Sequence, residues 1–502
     1  GRVDTGNDYH TCISGFANGV KKSFKLYSGN YFYSPEVAGG YNTIGSTSPG
    51  TDGEISGCAF DLENNKIWFA VNGTWTQSGN PANNTGGKEL TAGLTEVSIY
   101  TEHPNASYDG NDQMNCGQDS SFSGLKTAQG NQDGNGIGDF YYTPPTGFLA
   151  MCSANLPEPD VIPNKHFNNV LYTGTGSNQV VTGVGFQPDF LWLKNTSLGY
   201  GHLLFDVLRG LGSASPGNLA SDSSDIEGTF NYINAVSGNG FTTVSQQYGT
   251  NNPGSAMIAW NWKANGSGAS NTNGSINTTA TSANVDAGFS IMTYTGTGAN
   301  ATIGHGLSKV PEMWVVKPRT NVSDNQWFVC HKGLASDYAT DFIHFDNDAP
   351  VQDNALMWND SVPTTTLINL GSKPGTNKLN GSFVCYAWHS VDGYSKVGSY
   401  TGNSNADGTF VYTGFRPAFI MFRRINASGD FSIYDAARSP FNVVSNKLRA
   451  NTVGAAYTTS DDFDMLSNGF KQRDAGAGLN SSSSTYIYLA FAEVPLKYSN
   501  AR

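Results

Sequence analysis

The stretch whose residue types and spacing could ligate an ion is Asn131-Gln-Asp-Gly-Asn-Gly-Ile-Gly-Asp139. Asn131, Asp133, Asn135 and Asp139 offer oxygens along a short run with Gly136 at its tight point, which is how a hard cation gathers oxygens on a sharply turned backbone. Calcium is the one cofactor this pattern suggests. Against it, Tyr142 stands where a bidentate Glu would be needed and the surrounding pattern supplies no flanking helices, so a plain Asx- and Gly-rich connector is the alternative. A second chemistry is offered by aromatic residues set among Asn, Asp, Ser and Thr: Trp75, Tyr100 with His103, Trp358 and Tyr457. A ring face bordered by polar side chains suits a sugar, whose C–H face stacks while its hydroxyls take hydrogen bonds. The alternative for each ring is an edge aromatic that completes a core.

Catalytic patterns are missing from the chain. Its eight histidines are scattered without a ligand pair, and there is no nucleophile elbow, phosphate loop or dinucleotide fingerprint. Paired carboxylates meet in space and not in sequence, so a polysaccharide hydrolase is harder to exclude. The acidic patches Asp222–Glu227, Asp346–Asp353 and Asp461–Asp464 fall between strands in polar stretches and read as solvated loops. Leu204-Phe-Asp-Val-Leu-Arg209 and Ile433-Tyr-Asp-Ala-Ala-Arg438 repeat an acid and a base three apart, where the corresponding residues elsewhere are His331 and Leu334; a structural ion pair is the simpler reading. The expectation is a protein that is not an enzyme.

The elements that must carry these residues repeat. Tyr172-Thr-Gly with Gly185-Phe-Gln-Pro-Asp-Phe-Leu-Trp-Leu-Lys194 returns as Tyr294-Thr-Gly with Gly306-Leu-Ser-Lys-Val-Pro-Glu-Met-Trp-Val-Val-Lys317. It returns again as Tyr400-Thr-Gly with Gly414-Phe-Arg-Pro-Ala-Phe-Ile-Met-Phe-Arg423. Tyrosine and proline are 16, 17 and 17 residues apart, and the proline lies 71, 76 and 73 residues before Ala259, Ala387 and Ala490 of a second apolar run. That regularity predicts three copies of one module. Each apolar run is continuous, the sign of a strand covered on both faces. With 60 Gly, 12% aromatic and only 14% charged residues, the chain is suited to short strands and tight turns. The predicted fold class is all-β, with β-sandwich or jelly-roll-like repeats and almost no helix.

Net charge is −12 with no basic run, so the phosphate-neutralising footprint of a nucleic-acid binder is absent. No stretch reaches the roughly 18 apolar residues that could span a bilayer, so membrane insertion is not expected. Six cysteines without a C-x-x-C pair read as small buried hydrophobes.

Before the repeats, Gly57-Cys-Ala-Phe-Asp61, Lys66-Ile-Trp-Phe69 and Asn72-Gly-Thr-Trp75 form strands around a hairpin with an Asn-Gly turn following. This stretch resembles the central hairpin of SPRY domains, and Asn115-Cys-Gly-Gln118 with Pro144-Pro-Thr-Gly-Phe148 resembles their closing strands. The resemblance implies a ligand-binding, non-enzymatic β-sandwich over 1–155. Such a domain should have more chain before Gly1, so a processed product or part of a longer polypeptide is expected. Leu156-Pro-Glu-Pro-Asp-Val-Ile-Pro163 is an extended proline-rich linker opening a first repeat at 156–285, followed by repeats at 286–393 and 394–502. Lys165-His-Phe-Asn-Asn-Val-Leu-Tyr-Thr-Gly174, the Gly-Phe-x-Pro-x-Phe pattern, Asn468-Gly-Phe-Lys471 and the closing Ala490–Arg502 segment look like structural proteins of tailed, especially marine, phages. That resemblance implies a virion surface or tail fibre protein. Its partners would be a host surface glycan or receptor and other virion proteins, and a homo-oligomer, a trimer, is expected. The alternatives are a tailspike that depolymerises polysaccharide and a purely architectural virion protein.

Overall fold

The computed structural model describes residues 2–3, 10–17, 20–27, 30–35, 42–46, 55–89, 96–102, 113–152, 155, 161–213, 217–245, 247–334, 338–476 and 478–493. It is all-β, and the chain separates into two compact units, Gly1–Pro157 and Glu158–Arg502.

The first unit holds two antiparallel sheets. One runs Gln113–Met114, Arg2–Val3, Ile55–Asp61, Lys66–Val71, Thr74–Trp75, with Lys88–Glu89 also on Lys66–Val71; the other runs Glu96–Glu102, His10–Ala17, Val20–Tyr27, Asn30–Pro35, Asn42–Ser46. Asn72 and Gly73 both have positive φ, 46° and 78°, as a type I′ turn demands. This turn brings Trp75 back opposite Ala70.

The second unit is built from three modules, each with a main sheet in which four neighbouring strands correspond. They are Phe167–Thr173, Ala256–Trp262, Phe190–Asn195 and Leu203–Asp206 in the first; Phe289–Thr295, Ser382–Trp388, Met313–Pro318 and Phe328–His331 in the second; Ser395–Thr401, Thr485–Ala492, Pro417–Arg424 and Ser432–Asp435 in the third. The continuous apolar runs are explained by two cores. Along one strand Phe190 and Trp192 enter a cluster shared by all three modules, while Leu191 and Leu193 enter a core private to the first. Met313 and Val315 against Trp314 and Val316, then Phe419 and Met421 against Ile420 and Phe422, repeat the alternation. A strand with apolar surface on both faces has no side left for polar residues.

The modules are therefore not beads on a string. They close on one another through the same contact made in a cycle: Glu227 N donates to Arg319 O at 3.2 Å, Val351 N to Ile425 O at 2.9 Å and Ala456 N to Thr196 O at 2.9 Å. Arg319, Ile425 and Thr196 each lie two residues beyond the cation that closes the repeated strand, Lys317, Arg423 and Lys194. First to second, second to third and third to first is the pattern of a closed three-fold ring. The hairpin of Ala280–Asn284 with Phe289–Thr295 crosses the expected repeat boundary at 285/286.

Two expectations are corrected here. Asp222, Glu227 and Asp346 are half-buried seam residues, not members of solvated loops, because they occupy the segments through which one module reaches the next. Glu227 takes Arg319 at 2.8 and 2.9 Å and Arg209 at 3.4 Å. Burial raises the Asp346 carboxyl to about 6, with Lys317 opposing the shift. Of the cysteines, Cys330 and Cys385 are buried as expected, whereas Cys152 is exposed.

The Tyr-Thr-Gly repeat has its own physical reason. A Cβ on Gly174, Gly296 or Gly402 would lie 2.3 Å from the carbonyl oxygen of Asn252, Lys378 or Ser481 respectively, so only glycine permits the backbones to meet. Beside each approach a buried asparagine closes the turn. Asn251 Oδ1 accepts from Thr175 N at 2.8 Å, Asn377 Oδ1 from Thr297 N at 2.8 Å and Asn480 Oδ1 from Asn403 N at 3.0 Å. The tyrosine hydroxyl then donates to the carbonyl just before that asparagine, Thr250, Thr376 or Leu479, at 2.6, 2.6 and 2.7 Å. These asparagines belong to Gly249-Thr-Asn251, Gly375-Thr-Asn377 and Gly478-Leu-Asn480, a Gly-x-Asn repeat five residues before each closing strand.

Candidate ligand-binding cleft

Trp75 lies on a cleft of about 630 Å³ in the first unit. The volume is in the range of small-ligand sites, roughly 300–1,000 Å³. One wall is the hairpin of Ile55–Asp61 and its turn, and the other is the segment Phe140–Met151. Local geometry fixes both. Asp61 accepts Asn64 N at 2.9 Å and Asn64 Nδ2 at 2.7 Å, which closes the hairpin turn and, through the Asn64 side chain first, lowers the Asp61 carboxyl below its usual range. Tyr142 packs on Gly73, where an added Cβ would stand 2.7 Å from the ring, and meets Tyr141 edge-on at 5.0 Å. Burial, then Tyr141, raises the Tyr142 hydroxyl.

The loop from Asn131 to Asp139 is the clamp of the second wall. Gly136 has φ 72°, as its tight-point position requires. Asp133 Oδ1 accepts Asn135 N at 2.9 Å and Ile137 N at 3.0 Å, while Oδ2 accepts Ala150 N at 2.8 Å and Asn155 Nδ2 at 2.6 Å. Burial opposes ionisation of Asp133, but these four donors outweigh it and hold the carboxyl below the ordinary aspartate range. Asn131 Nδ2 donates to Tyr141 O at 2.9 Å, Asn135 Nδ2 to Asn155 Oδ1 at 2.9 Å, and Asp139 N to Gly117 O at 2.8 Å. The Asp133 oxygens expected for a cation are thus engaged by the chain itself. Among the described residues no three His, Cys, Asp or Glu side chains gather in a metal-holding group.

Of the other expected aromatic sites, Trp358 and Tyr457 do not join this cleft. Trp358 is the clearest correction: it is 0% exposed, donates to Asp341 O at 3.0 Å and meets Trp314 edge-on at 5.2 Å, so it fills the private core of the second module. Its Asn-Asp neighbours mark a turn, with Asn359 and Asp360 at φ 57° and 47°, and not an open loop around the ring. Tyr457 is 38% exposed in the second unit, with the Arg449 guanidinium 5.2 Å from its ring centre. Tyr100 stands opposite Cys12 in the second sheet of the first unit, but its side chain, like all of His103, lies outside the described residues. Among the described residues, Trp75 is the expected site residue that lines this cleft.

The acid–base pairs of the repeats are buried and structural. Arg209 Nε meets Asp206 Oδ2 at 2.6 Å with both side chains 0% exposed, and Arg438 Nε meets Asp435 Oδ2 at 2.6 Å. Asp206 also accepts Tyr386 Oη of the second module at 2.6 Å, and Asp435 accepts Trp260 Nε1 of the first at 3.3 Å. Sequence could not assign these seam partners, since they lie 180 and 175 residues away.

No curated protein matches the chain, and no solved structure does. A family model described as a domain of unknown function, DUF7483, matches residues 162–495, a span that takes in the described ring of three modules. The chain belongs to the DUF7483 family.

Proposed function

We propose that the protein is a surface or tail-fibre component of a tailed-phage particle that binds a host glycan. The cleft at Trp75 carries the reading: an aromatic ring at the end of a tight hairpin, apolar walls, and Asp61, Glu63, Asn115 and Thr143 within the same lining. Such a lining offers stacking for a sugar ring and hydrogen bonds at its rim. The resemblance of the repeats to phage structural proteins supplies the location. The ring, tied by buried pairs and backbone seams, suits a rigid support.

The test is titration of the full chain with a panel of purified bacterial surface polysaccharides, followed by tryptophan fluorescence. Saturable binding to at least one, weakened about tenfold or more in Trp75→Ala at unchanged Tm, is expected. Equal binding by Trp75→Ala, or no saturable binding across the panel, would overturn it. Release of short oligosaccharides during the incubation would replace the binder with a depolymerase.

A further inference from the structure

The three modules differ at one edge. Each has a short strand on its outer side, Gln179–Thr182, Ala301–Gly304 and Phe410–Tyr412, aligned by a buried middle residue: Val181 opposite Phe241, Ile303 opposite Ile368 and Val411 opposite Phe470. In the second module the far side of this strand is occupied by the chain's own residues. Ile276 bridges Ile303 in parallel, Ile276 N donates to Thr302 O at 3.0 Å, and Ser275 N and Oγ exchange hydrogen bonds of 2.9 Å with Thr302 Oγ1 and N. The Ile276 side chain enters the private core with Ile303 and Leu370. The segment is pressed close: a Cβ on Gly274 would lie 2.4 Å from Thr302 O.

In the third module, among the described residues, Phe410–Tyr412 is the last strand of its sheet. Thr413 N donates to Asn468 O at 3.0 Å and Gln472 N to Thr409 O at 3.1 Å, so the odd positions face the neighbouring strand. By antiparallel alternation the backbone groups of Phe410 and Tyr412 face outward, as those of Thr302 do in the second module. Where the second module has Thr302 and Gly304 under cover, the third has Phe410, 45% exposed, and Tyr412, 65% exposed. The first module leaves Val180 66% exposed at the same edge but has no aromatic there. Nearby charges are already matched, Lys471 by Asp407 and Arg473 by Asp464. A charged occupant would gain little beside them.

We propose that the edge at Phe410–Tyr412 receives an extended peptide strand from a partner protein. The strand has the chemistry that residues 273–277 supply to the second module: uncharged Gly, Ser and Asn around one aliphatic side chain. The backbone of the strand continues the sheet, its aliphatic residue extends the apolar edge beside Val411, and its outer face is flanked by Phe410 and Tyr412, whose exposed rings it covers in part. The second module is the internal precedent, with the occupant built into the chain.

The probe is a synthetic peptide with the sequence of residues 271–279, fluorescently labelled, added to the full chain. Saturable binding is expected, with amide exchange at Phe410 and Tyr412 slowed about tenfold or more at saturation. Tyr412→Lys, which leaves the fold and Tm unchanged, should weaken binding at least about tenfold, and a peptide with Asn in place of the isoleucine should not bind. Absence of protection at these two amides, or equal binding by Tyr412→Lys, overturns the proposal. So does self-association of the free chain that Tyr412→Lys abolishes, since the occupant would then be a second copy.

Discussion

Two seams of the ring solve one problem differently. Between the first and second modules the seam is charged: Asp206 and Arg209 are fully buried, Tyr386 bonds to both, and Glu227 bridges Arg209 to Arg319. Between the second and third modules the same strand position is His331, whose Nε2 meets Tyr488 O at 3.3 Å, with Leu334 where the arginine would be. The geometry of closure is kept while the chemistry changes. A buried ion pair is thus one way to fill the position and not a requirement of the fold, in line with the small net worth of buried pairs against well-packed alternatives.

The strongest way to break this comparison is Arg209→Ala. It strands Asp206 in the core and takes one cation from Glu227, and should cost about 3–5 kcal/mol in chemical denaturation. The double change Asp206→His with Arg209→Leu, which writes the second module's residues into the first, should recover more than half of that loss. A double variant as unstable as Arg209→Ala would show that the two seams are not equivalent. Next in size is a group both seams share. Asn377→Ala removes the acceptor for Thr297 N and the donor to Gly371 O and Ala299 O, and should cost about 2–4 kcal/mol. Asn251→Ala and Asn480→Ala should cost similar amounts; a spread wider than about 2 kcal/mol would count against an equivalent role.

The smallest effect separates the seams by pH. Burial, helped by Lys332 and opposed by the bond to Tyr488 O and by Glu312, lowers His331 from 6.5 to about 4. The unfolded chain then binds the proton more tightly, so the neutral-histidine seam is at full strength above pH 6.5 and weakens as pH falls towards 4, by roughly 3 kcal/mol at most. Asp346, raised by burial to about 6, works in the opposite sense as pH falls from 6 to 3.8. His331→Gln should reduce the slope of Tm against pH between 6.5 and 4 without abolishing it, because burial also lowers His305 to about 4; an unchanged slope would remove His331 from the account.

The all-β class and the three copies follow from local features that sequence displays. Tyr-Thr-Gly recurs because the glycine stands where another backbone leaves no room for a Cβ. The Gly-x-Asn repeat was equally visible, since its distance to the closing strand is constant, and it marks the partner of that turn. The cleft was legible in part. The Asn72-Gly73 turn dictates where Trp75 emerges, but only the packing of Tyr142 on Gly73 brings the second wall to it. Trp358 was misplaced because its polar neighbours describe a turn, while the ring direction is set by Trp314 and the Asp341 carbonyl.

By itself the sequence determined strand, turn and repeat, because these depend on residues within hydrogen-bonding or steric reach along the chain and on the two-residue side-chain period. It also determined that Phe190–Leu193, Met313–Val316 and Phe419–Phe422 must be covered on both faces. What covers the second face was decided only by tertiary structure. The shared core joins Trp192, Phe345 and Phe419 from three modules, and its seams pair Asp206 with Tyr386 and Asp435 with Trp260 across the ring. Apolar patterning fixes that a face is buried and carries no address for its partner; closure of the ring supplies the address.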